Sequence, residues 1–350
     1  MIIKPDNKKL LYSGRIDWSN PEEPVFVYPC TSLGMKFTGN ILKICVKNNN
    51  AYWDNYLGCI IDGKQLSLLL PNEGSVTLDI KIEPSEDNKH EVLFFKRQDA
   101  CHEITVVGIE IDDNGELLDM PAKPVKKIEV YGDSVSAGEV SEAVDFAGKE
   151  DPEHNGGYSN SWYSYAWITA RRLNAQLHDI AQGGIALMDK TGWFNEPDQT
   201  GMETAWDKIH YNLAFGKIME WDFTQYTPDV VIVAFGQNDS HPEDYMKEDY
   251  NGPMADTWRE HYKNFLNGLR GKYPEAYIIC CTTLLEHDVA WDNSIDEVVK
   301  QINDKRISHY LFKRNGCGTP GHLRIQEAEE MAGELCSYIE SLGIEAWEGL

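Results

Sequence analysis

Two prolines stand within four residues at Pro121 and Pro124, and the patterning of the chain differs on either side of them. Proline fixes φ and lacks an N–H, so neither a central strand nor a helix interior accommodates Met120-Pro121-Ala122-Lys123-Pro124. The segment reads as a stiff connector. Before it, short β segments alternate with turns and show almost no 3.6-residue periodicity. In Ser75 to Ile82 apolar and polar residues alternate, and Leu57–Ile61 and Leu66–Leu70 flank Asp62-Gly63, a strong hairpin signal. Ile41–Val46, Glu91–Phe95 and Glu103–Ile111 extend the set. After the connector, buried strands at Lys127–Tyr131, Asp229–Phe235 and Tyr277–Leu284 alternate with amphipathic helices at Ser161–Leu173, Asp256–Arg270 and about Leu323–Leu342. The expected fold class is α/β. An N-terminal β-sandwich of jelly-roll type (1–120) is followed by a linker (121–125) and an α/β/α three-layer domain with a parallel sheet (126–350). A chain of 350 residues is long enough for two such cores.

Charge narrows the partners. With 32 Lys+Arg against 57 Asp+Glu the net charge is 32 − 57 = −25. Such a chain repels phosphate and anionic lipid, so nucleic acid and membrane surfaces are poor partners. The N-terminus offers no apolar core with a cleavage site, and no stretch approaches membrane-spanning length, which points to a cytoplasmic protein. None of the eight cysteines forms a CxxC pair or sits at zinc-finger spacing, and most lie inside apolar runs. They read as buried thiols. Neither metal nor organic cofactor is called for, and the sequence leaves a homo-oligomer open.

In a doubly wound sheet, ligands bind at the carboxyl ends of the strands. Three of those ends carry pointed chemistry: Gly132-Asp133-Ser134, Gln182-Gly183-Gly184 and Gly236-Gln237-Asn238-Asp239. A serine needs a base to become a nucleophile and backbone donors to hold the oxyanion that its attack creates. Ser134 sits at a strand-to-loop turn. Its own N–H, that of Gly184 and the Asn238 amide could supply three donors, each worth about 3 kcal/mol in the transition state. His322, just before the last helix, is the candidate base.

These four blocks, in this order, resemble the consensus blocks of the SGNH/GDSL hydrolases. A sandwich with Ser13-Gly14-Arg15 near its start and Lys96-Arg97 ending one strand, ahead of such a domain, is similar more narrowly to the acetyl esterases of carbohydrate esterase family 2. That resemblance spans essentially the whole chain. It implies hydrolysis of O-acetyl groups on plant polysaccharides such as xylan or glucomannan through a serine acyl-enzyme. Ser134 matches the nucleophile, Gly184 and Asn238 the oxyanion donors, His322 the base, and Asp133 an acid that holds the turn.

There are departures. The family's aspartate three residues before the histidine is Thr319 here, and the usual His-Pro is His322-Leu323. Some members of that esterase family work with a Ser-His dyad in which a backbone carbonyl orients the imidazole, so the resemblance implies a dyad with a carbonyl near Thr319 as orienter. A carboxylate from elsewhere among the 57 acidic residues stays open as the alternative. Activity should fall as His322 protonates, near the ordinary histidine value of about 6.5. Trp193 and Trp291 are the expected sugar platforms. His241-Pro242-Glu243-Asp244 and His287-Asp288 lack metal-ligand spacing and read as solvated loops. The expected partner is an acetylated oligo- or polysaccharide. Two rival readings are an esterase for longer acyl chains, and a carbohydrate-binding protein whose hydrolase domain is inactive.

Overall fold

The computed structural model describes residues 1–343 and 347. Antiparallel strands occupy the N-terminal third: β1 (Val25–Phe26), β2 (Ser32–Thr38), β3 (Leu42–Asn50), β4 (Tyr56–Ile61), β5 (Lys64–Leu69), β6 (Glu73–Asp79), β7 (Lys89–Lys96) and β8 (His102–Ile111). They form two sheets, ordered β1-β8-β3-β6 and β2-β7-β4-β5, with short strands added at the edges. Alternation explains why the sheets face each other. Leu42, Ile44 and Val46 of β3 point the same way as Ile104 and Val106 of β8, and they meet Leu33, Met35 and Phe37 of β2 in one core. The hairpin turn lies at Asp62 (φ 50°) and Gly63 (φ 79°), the left-handed pair that a two-residue turn demands. The strand expected to run to Ile82 stops at Asp79, and Ile80 is buried beyond it.

The second half is built on a parallel sheet of β9 (Lys126–Gly132), β10 (Ala175–Ala181), β11 (Val230–Ala234), β12 (Tyr277–Cys281) and β13 (Ile307–His309). The order is β10-β9-β11-β12-β13. Helices α1 (Ser134–Ala137), α2 (Tyr165–Arg172), α3 (Pro253–Lys272), α4 (Val289–Ile302) and α5 (Ile325–Ser341) accompany it. Strand β11 shows why both faces are covered. Val231, Val233 and Phe235 share a core with residues of α3 and α4, whereas Val230, Ile232 and Ala234 share one with residues of α2 and α5. A strand buried on both faces is a continuous apolar run.

Several boundaries differ from the sequence reading. The helix expected over Ser161–Leu173 is broken: a 3-10 turn at Ser161–Tyr163 precedes α2, because Ser164 is extended (ψ 147°) and its Oγ accepts the Trp167 N–H as an N-cap. Helix α3 starts at Pro253, a first-turn proline that the stripe from Trp258 could not reveal. Helix α4 and the edge strand β13 went unread.

The two halves are joined by buried contacts. Arg15, fully buried, sets its guanidinium 3.1 Å from Glu129 Oε1 on β9 and donates to the carbonyls of Trp206 and Lys208. Cys30 and Phe95 enter the core on one face of the parallel sheet, and Val27, Tyr28 and Ala100 enter the other. Among the described residues, no helix is long and apolar enough to cross a membrane.

Candidate active site

The chain runs from β9 to β10 on one side and then to β11 on the other, so the strand order reverses at β9. At such a reversal the loops leaving neighbouring strands diverge and open a crevice. A cavity of about 1010 Å³ lies there, and Ser134, Gly184, Asn238, Trp193 and His322 all line it.

Ser134 is the first residue of α1, next to β9, and is 4% exposed. Asp133 caps that helix: its Oδ1 accepts the Val135 N–H at 3.0 Å, and its Oδ2 accepts from Gln237 and Asn238. Burial pushes the Asp133 carboxyl up to about 7, although the Val135 N–H and the Gln237 amide favour its charged form. Asp133 thus ties the turn at Ser134 to the loop after β11.

Gly184 has φ +71°, and its carbonyl accepts the N–H groups of Trp193 (2.8 Å) and Phe194 (3.2 Å). A Cβ there would fall 2.9 Å from the Cβ of Trp193, so glycine is required for both conformation and space. Asp239, fully buried, accepts the Leu187 N–H at 2.9 Å and so fastens the turn after β10 to the loop after β11. Among the described residues neither the Ser134 nor the Gly184 N–H has an acceptor, which leaves both free for an oxyanion. Asn238 is different. It lines the cavity, but its Nδ2 is committed to Asp133 Oδ2 (3.2 Å) and the Ile185 carbonyl (3.1 Å), so an oxyanion would have to displace one of these.

His322 departs most from expectation. Its orienter is not a carbonyl near Thr319. Nδ1 lies 2.6 Å from Asp151 Oδ2, across 171 residues of sequence, and Arg324 pairs with the other Asp151 oxygen at 2.9 Å. Thr319 instead donates its N–H to Glu327 and accepts the Gly148 N–H. Gly321 permits the Asp151 contact, since a Cβ at this position would sit 2.7 Å from Asp151 Cγ. Burial works against ionisation of Asp151, but His322 and Arg324 outweigh it and hold the carboxyl below its ordinary value. On its other side, His322 Nε2 lies 3.1 Å from Glu139 Oε2. Burial disfavours the imidazolium, yet the hydrogen bonds to Asp151 and Glu139 prevail and push His322 up to about 10. The acid limb is therefore expected above the ordinary histidine value of about 6.5. Ser134 and His322 share the cavity without a hydrogen bond between them among the described residues.

The tryptophans separate. Trp193 is 56% exposed and stacks on His241 with ring centroids 3.3 Å apart. Trp291 is not a platform: it is 0% exposed, packed edge-on against Trp258, and its Nε1 donates to Asp244. Helix amphipathicity, not sugar contact, explains it. His287 is likewise no solvated loop residue, because its buried ring meets Asp292 at 3.0 Å. The sequence reading missed Asp151, Glu139, Asp99, Tyr52 and Trp53. The last two form a sandwich-side wall of the cavity, and an aromatic pair inside Asn48-Asn49-Asn50-Ala51-Tyr52-Trp53-Asp54-Asn55 was a legible signal.

Known proteins resemble this chain in sequence and fold. Residues 12–121 match the carbohydrate esterase 2 N-terminal family. The chain is 29% identical to the cellulase/esterase CelE of Acetivibrio thermocellus over 96% of its own length and 40% of that protein, so it spans well under half of this relative. It is 25% identical to an acetylxylan esterase / glucomannan deacetylase of Cellvibrio japonicus, covering 94% of this chain and 87% of that one. Among solved structures, a family two carbohydrate esterase from Clostridium thermocellum in complex with cellohexaose superposes with a TM-score of 0.79 at 26% identity, covering 95% of this chain and 98% of that one. A family two carbohydrate esterase from Cellvibrio japonicus shares the fold, with a TM-score of 0.81 at 24% identity, covering 99% and 98% of the two chains.

Proposed function

We propose that this protein, an SGNH hydrolase of the carbohydrate esterase family 2 type in sequence and fold, is a carbohydrate O-acetyl esterase working through a serine acyl-enzyme. The observation that carries the reading is that Ser134, two unpaired N–H groups and a carboxylate-oriented His322 line one cavity. Ser134 Oγ attacks the acetyl carbonyl as His322 Nε2 takes its proton. The N–H groups of Ser134 and Gly184 receive the oxyanion, with Asn238 a third donor once it leaves Asp133 or Ile185. His322 then protonates the departing sugar oxygen, and water deacylates the serine by the reverse proton transfers. Asp151 holds the ring in register and stabilises the imidazolium.

The substrate class is an acetylated oligo- or polysaccharide. The names of the relatives support it, and so does the cavity wall, where Glu139, Glu150, Asp244, Lys247, Glu286 and Asp288 suit hydroxyl groups better than an acyl chain. Trp193 is the proposed sugar platform. The missing Asp before His322 was the motive for an inactive hydrolase, and Asp151 removes that motive. For the fold we take the sandwich as a jelly roll at 1–120, a linker at 121–125 and the catalytic unit at 126–350. The strand orders β1-β8-β3-β6 and β2-β7-β4-β5, in which successive strands change sheets except at the β4–β5 hairpin, support the first.

The test is turnover of 4-nitrophenyl acetate, 4-nitrophenyl octanoate and acetylated xylo-oligosaccharide by wild type and Ser134→Ala. Acetate release that the substitution abolishes is expected. Equal rates in both proteins refute the enzyme, and preference for the octanoyl ester refutes the substrate class.

A further inference from the structure

Both ring nitrogens of His322 face carboxylates: Nδ1 faces Asp151 at 2.6 Å and Nε2 faces Glu139 at 3.1 Å. Only the imidazolium can donate at both positions, and in that state Nε2 has no lone pair for the Ser134 proton. Glu139 is therefore not a bystander. It follows α1 directly, its N–H donates to the Ser134 carbonyl at 3.0 Å, and it is 6% exposed at the cavity wall.

A second acid backs it. Asp99, fully buried, comes from the sandwich loop between β7 and β8. Its Oδ2 accepts the Gly183 N–H at 2.7 Å and Gln182 Nε2 at 2.6 Å, and its Oδ1 accepts the Cys101 N–H at 3.0 Å. Glu139 Oε1 and Asp99 Oδ2 crowd the same face of Gly183, where a Cβ would strike both. Two carboxylates crowding one buried position repel each other, so a proton arriving on Glu139 is favoured by its acidic neighbour. Burial and the Asp99 charge raise the Glu139 pKa, while His322 opposes the rise.

Building on the esterase reading, we infer that Glu139 is a positioning residue for the general base: it holds His322 Nε2 in the resting enzyme and, when substrate fills the cavity, releases the ring to Ser134 by taking the Nε2 proton. In that step the Nε2–H bond breaks and its electron pair stays on nitrogen. A Glu139 O–H bond forms, and the acid donates to the Asp99 carboxylate. The ion pair becomes a neutral pair, which expulsion of water from the cavity favours. The freed lone pair then accepts the Ser134 proton. Asp99 makes the sandwich a participant, since the same carboxylate that receives the Glu139 hydrogen bond also fixes the oxyanion turn.

The groups facing Glu139 are His322 before α5 and Asp99, Tyr52 and Cys101 from the sandwich; Asp133 and Asp151 face His322, and Lys96 donates to the Asp99 carbonyl. The experiment follows the His322 ring by NMR through a pH titration of the full chain. It also records the acid limb of kcat/KM for 4-nitrophenyl acetate in wild type, Glu139→Gln, Glu139→Asp and Asp99→Asn. Glu139→Gln should lower the His322 midpoint and the acid limb together, by about one pH unit or more, because a favourable carboxylate is lost. Glu139→Asp should restore much of the shift. Asp99→Asn, which keeps the shape but removes the competing acid, should move the midpoint the other way by leaving Glu139 more fully charged. A His322 midpoint that stays put in both Glu139→Gln and Asp99→Asn, with Ser134-dependent turnover intact, overturns the clamp and spares the esterase. Absence of turnover in the wild type overturns both.

Discussion

Asp151 is one of 57 acidic residues and carries no local signal, yet its contact with His322 Nδ1 decides how the base can work. Replacing it by Asn keeps the volume and loses the charge that fixes the ring. In a triad of this kind the orienting carboxylate accounts for up to about 10⁴-fold in kcat. Asp151→Asn is therefore expected to cut kcat by about 10³–10⁴-fold with KM nearly unchanged, as steady-state kinetics would register. A loss under tenfold would return the dyad expectation to favour. The pH sign follows from the same contacts. His322 is held protonated up to about 10 in the resting site, so activity rises with pH as the proton leaves and falls as pH drops. The acid limb of kcat/KM should lie above 6.5, and a midpoint at or below that value would contradict the clamped ring.

Loop turns are the elements on which the chemistry rides, and each is held by a neighbour's carboxylate. Asp133 caps α1 and reaches the loop after β11, Asp239 holds the turn after β10, and Asp99 holds the same turn from the sandwich. Gly184 is a position on this scaffold that tolerates little change. Alanine at φ +71° is strained by about 1–3 kcal/mol. It also drives the Cβ against Trp193, shifting the N–H proposed to meet the oxyanion. Gly184→Ala should lose roughly 10²-fold in kcat, with a matching drop of about 1–3 kcal/mol in urea unfolding. Full activity in that variant would exclude the turn as an oxyanion donor. The glycine itself was legible in the sequence. What held it was not, because Asp99 and Asp239 reach it from loops that no periodicity describes.

At the scale of the molecule, the two halves share buried groups and not just a surface. Arg15 and Glu129 are both fully buried across the junction, and the partners of Arg15 extend to the Trp206 and Lys208 carbonyls. Removing one member of such a pair leaves a buried charge without its partner, at about 3–5 kcal/mol. Arg15→Met should destabilise the whole chain by that amount in urea denaturation, and Arg15→Met with Glu129→Leu should recover part of it. A change below about 1 kcal/mol would mean that the junction carries no stability. Patterning exposed the two kinds of sheet and the strand ends where Ser134, Gly184 and Asn238 stand.

Those features follow from short-range rules: period 2 or 3.6 in apolar residues, proline's missing donor, glycine's access to positive φ. The orienter of His322, the burial of Trp291, the commitment of the Asn238 amide and the Asp99–Glu139 pair follow from none of them. A carboxylate acts through its distance from an imidazole, and a tryptophan through the face it leaves uncovered. Both are properties of segments brought together from distant positions, and only the folded chain defines them.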